Sequence, residues 1–423
     1  VMTKINKSKI VIDPLLGIID ITEVLPLIDT KYFQSLGFKH QLGLASSIFP
    51  AATHTRKQHS LGAYERTKRL VGYWKELGFI NENEAKNLPI YALYHDIGHG
   101  PFSHVTESLG SVDHNERGLK FFESLKDVFE EAGFDYDFIH DMFTRKNPLY
   151  LGVSDKNLGM EKLDYLERDA YYTIGERPGI EFLSRNTYFV NGQVAVSEMA
   201  IDSAKDIQDF YIKMYKHVYS RKKAAIMQRL IEKMTYLLVK DGLEEDELFS
   251  LNDFGLFGRF ETSSNEMVKF YYNSFMKGVV PKLAIELTYS DLSVNPVESK
   301  KIKREVIEPE IFEKILSLEK LKDNKFLDKV ENEISELVGI PKGNILLMVA
   351  SKRRFQPDDL SVYLENGSIK KISNIYPQHF KALEEYGRSH LNVRVAVYED
   401  YRQKVFDKSK EIKEYIIELA KEI

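Results

Sequence analysis

Cysteine is missing altogether from the 423 residues. That absence removes disulfide frameworks, thiolate-bound metals and cysteine nucleophiles together. Any metal must therefore be held by imidazole and carboxylate. Tryptophan occurs once, but 25 Phe and 24 Tyr supply aromatic bulk, and 43% hydrophobic with 29% charged residues is the balance of a folded globular chain. There is no strong excess of one charge: the formal net charge of −5 gives no general attraction to nucleic acid. Long apolar runs are missing too. Residues 1–28 are apolar in patches, but Asp13, Asp20 and Glu23 interrupt them before they reach the length of a signal or membrane helix. The expectation is a cytoplasmic protein with neither a membrane segment nor a nucleic-acid partner.

The length exceeds what one hydrophobic core usually serves, so two unequal domains are expected, over residues 1–300 and 301–423. Helical spacing of apolar residues predicts amphipathic helices over 60–80 and 84–97. The second stops where Gly98, Gly100 and Pro101 crowd together, which places His95 and Asp96 at its C-terminal end. Further helices are expected over 160–174 and 203–241, the latter ended by Gly242. Residues 298–330 are rich in Lys and Glu and read as including the connection. Beyond about residue 340, Ile345–Val349 is a short apolar run, Leu360, Val362 and Leu364 alternate up to an Asn366-Gly367 turn, and Val393, Val395 and Val397 alternate before a helix over 401–421. The fold class expected is mainly α, with a smaller α+β C-terminal domain. Two basic clusters, Arg221-Lys222-Lys223 and Ser351-Lys352-Arg353-Arg354, read first as solvated faces and second as phosphate contacts.

The informative stretch is His95-Asp96-Ile97-Gly98-His99-Gly100-Pro101-Phe102-Ser103-His104, which gathers three of the eleven histidines and a carboxylate within ten residues. Core packing does not call for such a cluster. Imidazole and carboxylate suit Zn, Mn, Fe, Ni or Co, and Mg with more oxygen ligands, so a divalent metal is expected without its identity.

With His59 upstream, in Arg56-Lys57-Gln58-His59-Ser60-Leu61-Gly62, and Glu161-Lys162-Leu163-Asp164-Tyr165-Leu166-Glu167-Arg168-Asp169 downstream, the chain resembles the HD superfamily of metal-dependent phosphohydrolases. It is most similar to the deoxynucleoside triphosphate triphosphohydrolase branch. The resemblance implies an HD helical core and four metal ligands at His59, His95, Asp96 and Glu161, where the family carries Asp at the last position. It implies a catalytic group at His99, Glu107 and His114, with His114 as general acid, and His104 is a further candidate there. It also implies a nucleotide pocket: Gln41 and Leu42 toward sugar and base, Arg56 and Lys162 toward phosphates, Tyr165 and Asp169 toward the sugar. The implied partners are a dNTP substrate and further copies of the chain in a homo-oligomer.

Departures accompany the match. His217 and Ala225 stand where family enzymes place an Arg and a Tyr, which weakens the expected grip on a γ-phosphate and the barrier to ribose. Gln34-Ser35-Leu36-Gly37 replaces a segment that reads an activating nucleotide, although Asp29 is kept. Two alternatives follow: an HD phosphohydrolase for another phosphorylated nucleotide, and a non-catalytic nucleotide-binding HD regulator. A single-strand nuclease is disfavoured by the acidic charge and the lack of a basic and aromatic stripe. The Gly98-His99 pair disfavours alarmone hydrolysis, and the absence of a Gly-Tyr-Pro tripeptide disfavours cyclic-dinucleotide cleavage.

Overall fold

The computed structural model describes residues 8–291, 301–351 and 358–421, so the basic run Lys352-Arg353-Arg354 lies outside the described residues. The chain is mainly α-helical with a smaller α+β part, and it forms two compact units. The first comprises Val1–Ser103, Val112–Tyr211 and Asp358–Phe380; the second comprises His104–Ser111, Ile212–Pro357 and Lys381–Ile423. The expected single boundary near residue 300 is thus replaced by interleaved segments. Strand pairing over long sequence separations decides this, and local pattern does not carry it.

In the first unit, α1 (Arg56–Glu76) begins at a capping box in which Thr55 accepts from Gln58 N and the Gln58 side chain accepts from Thr55 N. Helix α2 (Glu82–Tyr94) repeats the device with Asn81 and Glu84. The short helix α3 (His114–Glu123) is capped by Asp113, and α4 (Met160–Thr173) follows an extended Gly159. Trp74 is fully buried and donates from Nε1 to Thr187 O at 2.7 Å. It fits because residue 152 is glycine; a Cβ there would lie 2.8 Å from the indole ring.

Strands β1 (Ile10–Asp13) and β2 (Gly17–Asp20) form an antiparallel pair. A second sheet contains β3 (Thr187–Val190) and β4 (Gln193–Ser197), joined through Asn191 and Gly192 at φ 53° and 74°. That conformation suits the Asn-Gly pair of a tight hairpin. The Asn366-Gly367 hairpin forms as expected between Ser361–Tyr363 and Ile369–Lys371, but it joins this sheet, in the order β3, β4, Ser361–Tyr363, Ile369–Lys371. It therefore belongs to the first unit and not to a C-terminal domain.

In the second unit a four-stranded sheet runs β6-β5-β10-β7, with β5 (Lys282–Tyr289), β6 (Lys303–Ile307), β7 (Ile345–Val349) and β10 (Val393–Val397); the two hairpin strands above are β8 and β9. Val393, Val395 and Val397 pack with Ile285, Leu287, Ile345 and Leu347, as the alternation predicts, beneath Phe312, Val330 and Ile334. The stretch read as including a connection instead supplies β6 and the start of a helix over Asn324–Val338; residues 292–300 lie outside the described residues. The long helix expected over 203–241 is divided into α5 (Ile201–Met214), a π-helical turn over Tyr215–Tyr219, and α6 (Lys222–Lys240); Asn324–Val338 is α7. The terminal helix is likewise two pieces, Arg402–Asp407 and Ser409–Leu419. No helix among the described residues is long and apolar enough to cross a membrane.

Candidate metal centre

The first turn of α1 projects Arg56 and His59 from one face, since residues three apart on a helix are neighbours. The end of α2 delivers His95 and Asp96. Helix α4 carries Glu161, Asp164, Tyr165, Arg168 and Asp169. Helices α1 and α4 come close because residue 62 is glycine: a Cβ would sit 2.2 Å from Asp164 Oδ1 and 2.3 Å from the Arg168 guanidinium.

Three of these side chains converge. His59, His95 and Asp96 are buried, and one ligand atom from each lies within 4.8 Å of the others. His59 Nε2 is 3.7 Å and His95 Nε2 3.3 Å from the Asp96 carboxylate. The His95 ring is fixed by Nδ1 against Ala92 O at 2.7 Å, which leaves Nε2 buried with no hydrogen-bond partner. Leaving such an atom unsatisfied costs about 1–3 kcal/mol. A buried imidazole nitrogen aimed at a second imidazole and a carboxylate is a donor set that fits a divalent cation.

The outer partners orient the inner ones. His59 Nδ1 lies 2.9 Å from Asp164 Oδ2, which turns Nε2 toward Asp96. Asp164 is fully buried and also accepts from Arg66 Nε at 3.0 Å and from Arg168 Nε and Nη2 at 2.9 and 3.0 Å. Burial opposes its charge, but the Arg168 and Arg66 cations and the His59 bond hold its carboxyl far below the usual range. Burial likewise opposes a charged His59, yet the Asp164 hydrogen bond and the nearby Asp96, Asp164 and Glu161 carboxylates prevail and raise its pKa. Asp96 is buried too, and Arg56, His95 and His99 keep it ionised by lowering its pKa well below the ordinary value.

The remaining candidates fall into distinct groups. Glu161 Oε1 is 3.9 Å from His95 Nε2, while Oε2 accepts from Ser154 Oγ at 3.2 Å. It stands beside the triad and outside its tightest cluster. Arg56 is buried, pairs with Asp96 and donates from Nε to Ser103 Oγ at 2.7 Å. In this arrangement it is a partner of Asp96. Asp169 is buried against His54 Nε2 at 2.7 Å. Tyr165 lies edge-on to His59, ring centroids 6.3 Å apart. Lys162 packs its ammonium 3.8 Å from the Tyr211 ring centroid and donates to Lys156 O; burial pushes its pKa down to about 8. Gln41 Oε1 is buried with no hydrogen-bond partner, and Leu42 beside it is half-buried.

Gly98 and Gly118 let α3 touch the loop after Asp96, since a Cβ on Gly98 would lie 2.0 Å from His114 O. The contact stacks the His99 and His114 rings at 3.9 Å and 14°. His99 Nε2 is 3.2 Å from Asp96 Oδ1. Burial, the Arg56 cation and His114 together push the His99 pKa well down, so its ring is neutral near pH 7. Phe102 and Ser103 follow at φ 54° and 60°, a left-handed backbone uncommon outside glycine and concentrated at functional sites. His104 and Glu107 belong to the second unit, where His104 Nδ1 meets Glu107 Oε2 at 2.7 Å.

Sequence reasoning assigned no role to Asp164, His54 or Lys39. Asp164 was legible in principle, because it sits one turn after Glu161. Lys39 carries no motif, yet it is buried and donates to His99 O at 2.5 Å.

Residues 56–146 match the family described as HD domain. The chain is 29% identical over 250 residues to an uncharacterized protein of Bacillus subtilis, covering 55% of this chain and 58% of that one. It is 29% identical over 289 residues to "Deoxynucleoside triphosphate triphosphohydrolase SAMHD1 homolog" of Dictyostelium discoideum, covering 61% of this chain and 56% of that one. The human SAMHD1 enzyme is 30% identical over 215 residues, covering 41% of this chain and 34% of that one. The chain thus spans less than two thirds of the length of these relatives. Among solved structures, a phosphohydrolase from Bacteroides thetaiotaomicron superposes with a TM-score of 0.70 at 21% identity, covering 92% of this chain and 99% of that one; this likeness concerns the fold.

Proposed function

We propose that this chain, a member of the HD-domain superfamily, is a metal-dependent phosphohydrolase acting on nucleotides, and that it converts a deoxynucleoside triphosphate to the deoxynucleoside and inorganic triphosphate. One observation carries the reading: His59, His95 and Asp96 bring ligand atoms within 4.8 Å of one another, and His95 Nε2 is left without any other partner. The named activities of the Dictyostelium and human relatives support the substrate class.

His59, His95 and Asp96 would hold the cation, with Glu161 standing beside them. A divalent ion bound there supplies positive charge to phosphate oxygens and makes a water nucleophilic near neutral pH. Attack on the phosphorus that carries the 5′ oxygen breaks the P–O5′ bond, and the departing oxygen takes a proton from His114. His99 is kept neutral by burial, the Arg56 cation and His114, and its ring stacks on His114 at 3.9 Å. Tyr165, Asp169 and the unsatisfied Gln41 Oε1 are assigned to sugar and base, and Lys162 to phosphate. The nucleotide pool is cytoplasmic, which sets the proposed location.

The test is a nucleotide screen with Mn, Mg, Co and Ni in which phosphate, pyrophosphate and triphosphate are read separately. Triphosphate release from dNTPs is expected, abolished in His95→Ala and Asp96→Ala together with most bound metal. Monophosphate or pyrophosphate release would reassign the scissile bond, and retention of metal and turnover in both variants would refute the centre.

A further inference from the structure

The sequence runs without a break from the HD motif into residues 104–111, yet that segment belongs to the second unit. Its anchor there is specific. Ser108 Oγ donates to Glu232 Oε1, and Asn324 Nδ2 donates to both, at 3.0 Å to Ser108 Oγ and 3.1 Å to Glu232 Oε1. Asn324 Oδ1 accepts from Arg229 Nη1 at 2.6 Å. Arg229 in turn pairs with Glu331 through Nε and Nη2 at 3.0 and 3.2 Å, and Glu331 accepts from Lys233 at 2.7 Å and from Leu347 N at 2.9 Å. Farther along the segment, Ser111 N and Oγ donate to Glu245 Oε1 at 2.7 and 3.0 Å.

This network is costly unless it is complete. Arg229, Lys233, Asn324 and Glu331 are each at most 4% exposed, and a buried charge or amide without partners is strongly unfavourable. Ordinary core packing at the junction of α6, α7 and β7 needs only apolar residues. What the polar cluster adds is a directional tie to Ser108, through Asn324 and Glu232, whose far end is one residue beyond Glu107. The same stretch holds the His104–Glu107 pair at 2.7 Å, and both residues line a cavity of about 420 Å³ within this unit, with Arg229, Glu232 and Gln228 on its wall.

We infer that Asn324 and Glu232 are positioning residues that set where the His104–Glu107 pair stands, through Ser108. The inference rests on the hydrolytic reading above for the catalytic consequence, but the geometric claim stands by itself. Asn324 is the first residue of α7, after the Asp323 cap. An Asp at that position suits the helix dipole, so Asn324→Asp leaves the helix intact and keeps an acceptor for Arg229. It also turns a donor to Ser108 and Glu232 into a carboxylate facing a carboxylate.

The experiment uses the full chain loaded with Mn. In Asn324→Asp, kcat is expected to fall about ten- to hundredfold, the cost of misplacing the pair that the family resemblance puts in the catalytic group, with KM and Mn content unchanged. The exchanged pair Asn324→Asp with Glu232→Gln, which restores one amide and one acid, is expected to recover kcat to within threefold of the wild type. Independently of turnover, the His104 imidazole ¹⁵N resonances, assigned through His104→Gln, are expected to shift in the single variant and return in the exchanged pair. An unmoved kcat or an unrescued exchange overturns the positioning role. If the wild-type protein hydrolyses no nucleotide, the functional reading fails while the ¹⁵N shifts still decide this one; unmoved His104 resonances reject it.

Discussion

Asp164→Asn is the most informative single change at the candidate metal centre, because it alters one charge and almost no volume. The carboxylate accepts from the His59 ring and from three guanidinium nitrogens of Arg66 and Arg168. With an amide in its place, the His59 tautomer is no longer dictated, and loss of such an outer partner lowers metal affinity about 10–100-fold. That corresponds to about 1.4–2.7 kcal/mol. The fold pays separately. Removing one member of a buried ionic cluster costs about 3–5 kcal/mol, and here the low end applies, because Arg168 keeps Asp13 at 2.7 Å and Arg66 keeps Glu167. Urea unfolding of the metal-free protein and Mn competition against a chromogenic chelator read the two effects apart. A folded Asp164→Asn protein that binds Mn within twofold of the wild type would refute the orienting role of Asp164 and the assignment of His59 Nε2 as ligand.

Other expectations test neighbouring steps. Gly62→Ala drives a methyl into Asp164 and Arg168 at 2.2 and 2.3 Å; an overpacking cost of about 3 kcal/mol or more is expected, together with weakened metal binding, and a neutral result by urea unfolding would contradict the close approach of α1 and α4. His114→Ala should lower kcat far more than it raises KM, and an effect confined to KM counts against its acid role. In the second unit, burial opposes the charge of Glu286, but Arg394 at 2.8 Å outweighs it and holds the pKa below the usual 4.5. A depressed carboxylate stabilises above its unfolded pKa, and that contribution disappears as pH falls through the folded value. Arg394→Met is therefore expected to cost about 3 kcal/mol at pH 7 and progressively less below pH 4.5, whereas a difference that stays constant with pH would exclude the pair as its source.

Much of the helical framework was legible because it is local. The apolar spacing of α1 and α2 and the glycines after Asp96 each specify structure within a few residues. The residues His59, His95 and Asp96 stood out for a different reason: separated motifs carry residue types that core packing does not require. What escaped was non-local. The Asn366-Gly367 turn announced a hairpin but could not name β4 as its parallel neighbour, a pairing that spans more than 160 residues. The Asn191-Gly192 turn was an equally clear signal that went unused. The contacts of Arg56 with Asp96 and Ser103 become visible only once the helices are assembled. Lys39 has no pattern around it; burial alone marks it.

The interleaving of the chain has a practical bearing on how the protein can be cut. A shortened version that stops anywhere between the end of α5 and residue 357 discards Ser361–Tyr363 and leaves β4 with a bare edge where Val196 and Ser197 should meet Val362 and Tyr363. Exposed strand edges invite association with other chains. Trimming the C-terminal half to isolate the helices that carry His59, His95 and Asp96 should thus yield aggregating material, whereas supplying residues 358–380 as a separate peptide gives that edge its missing neighbour.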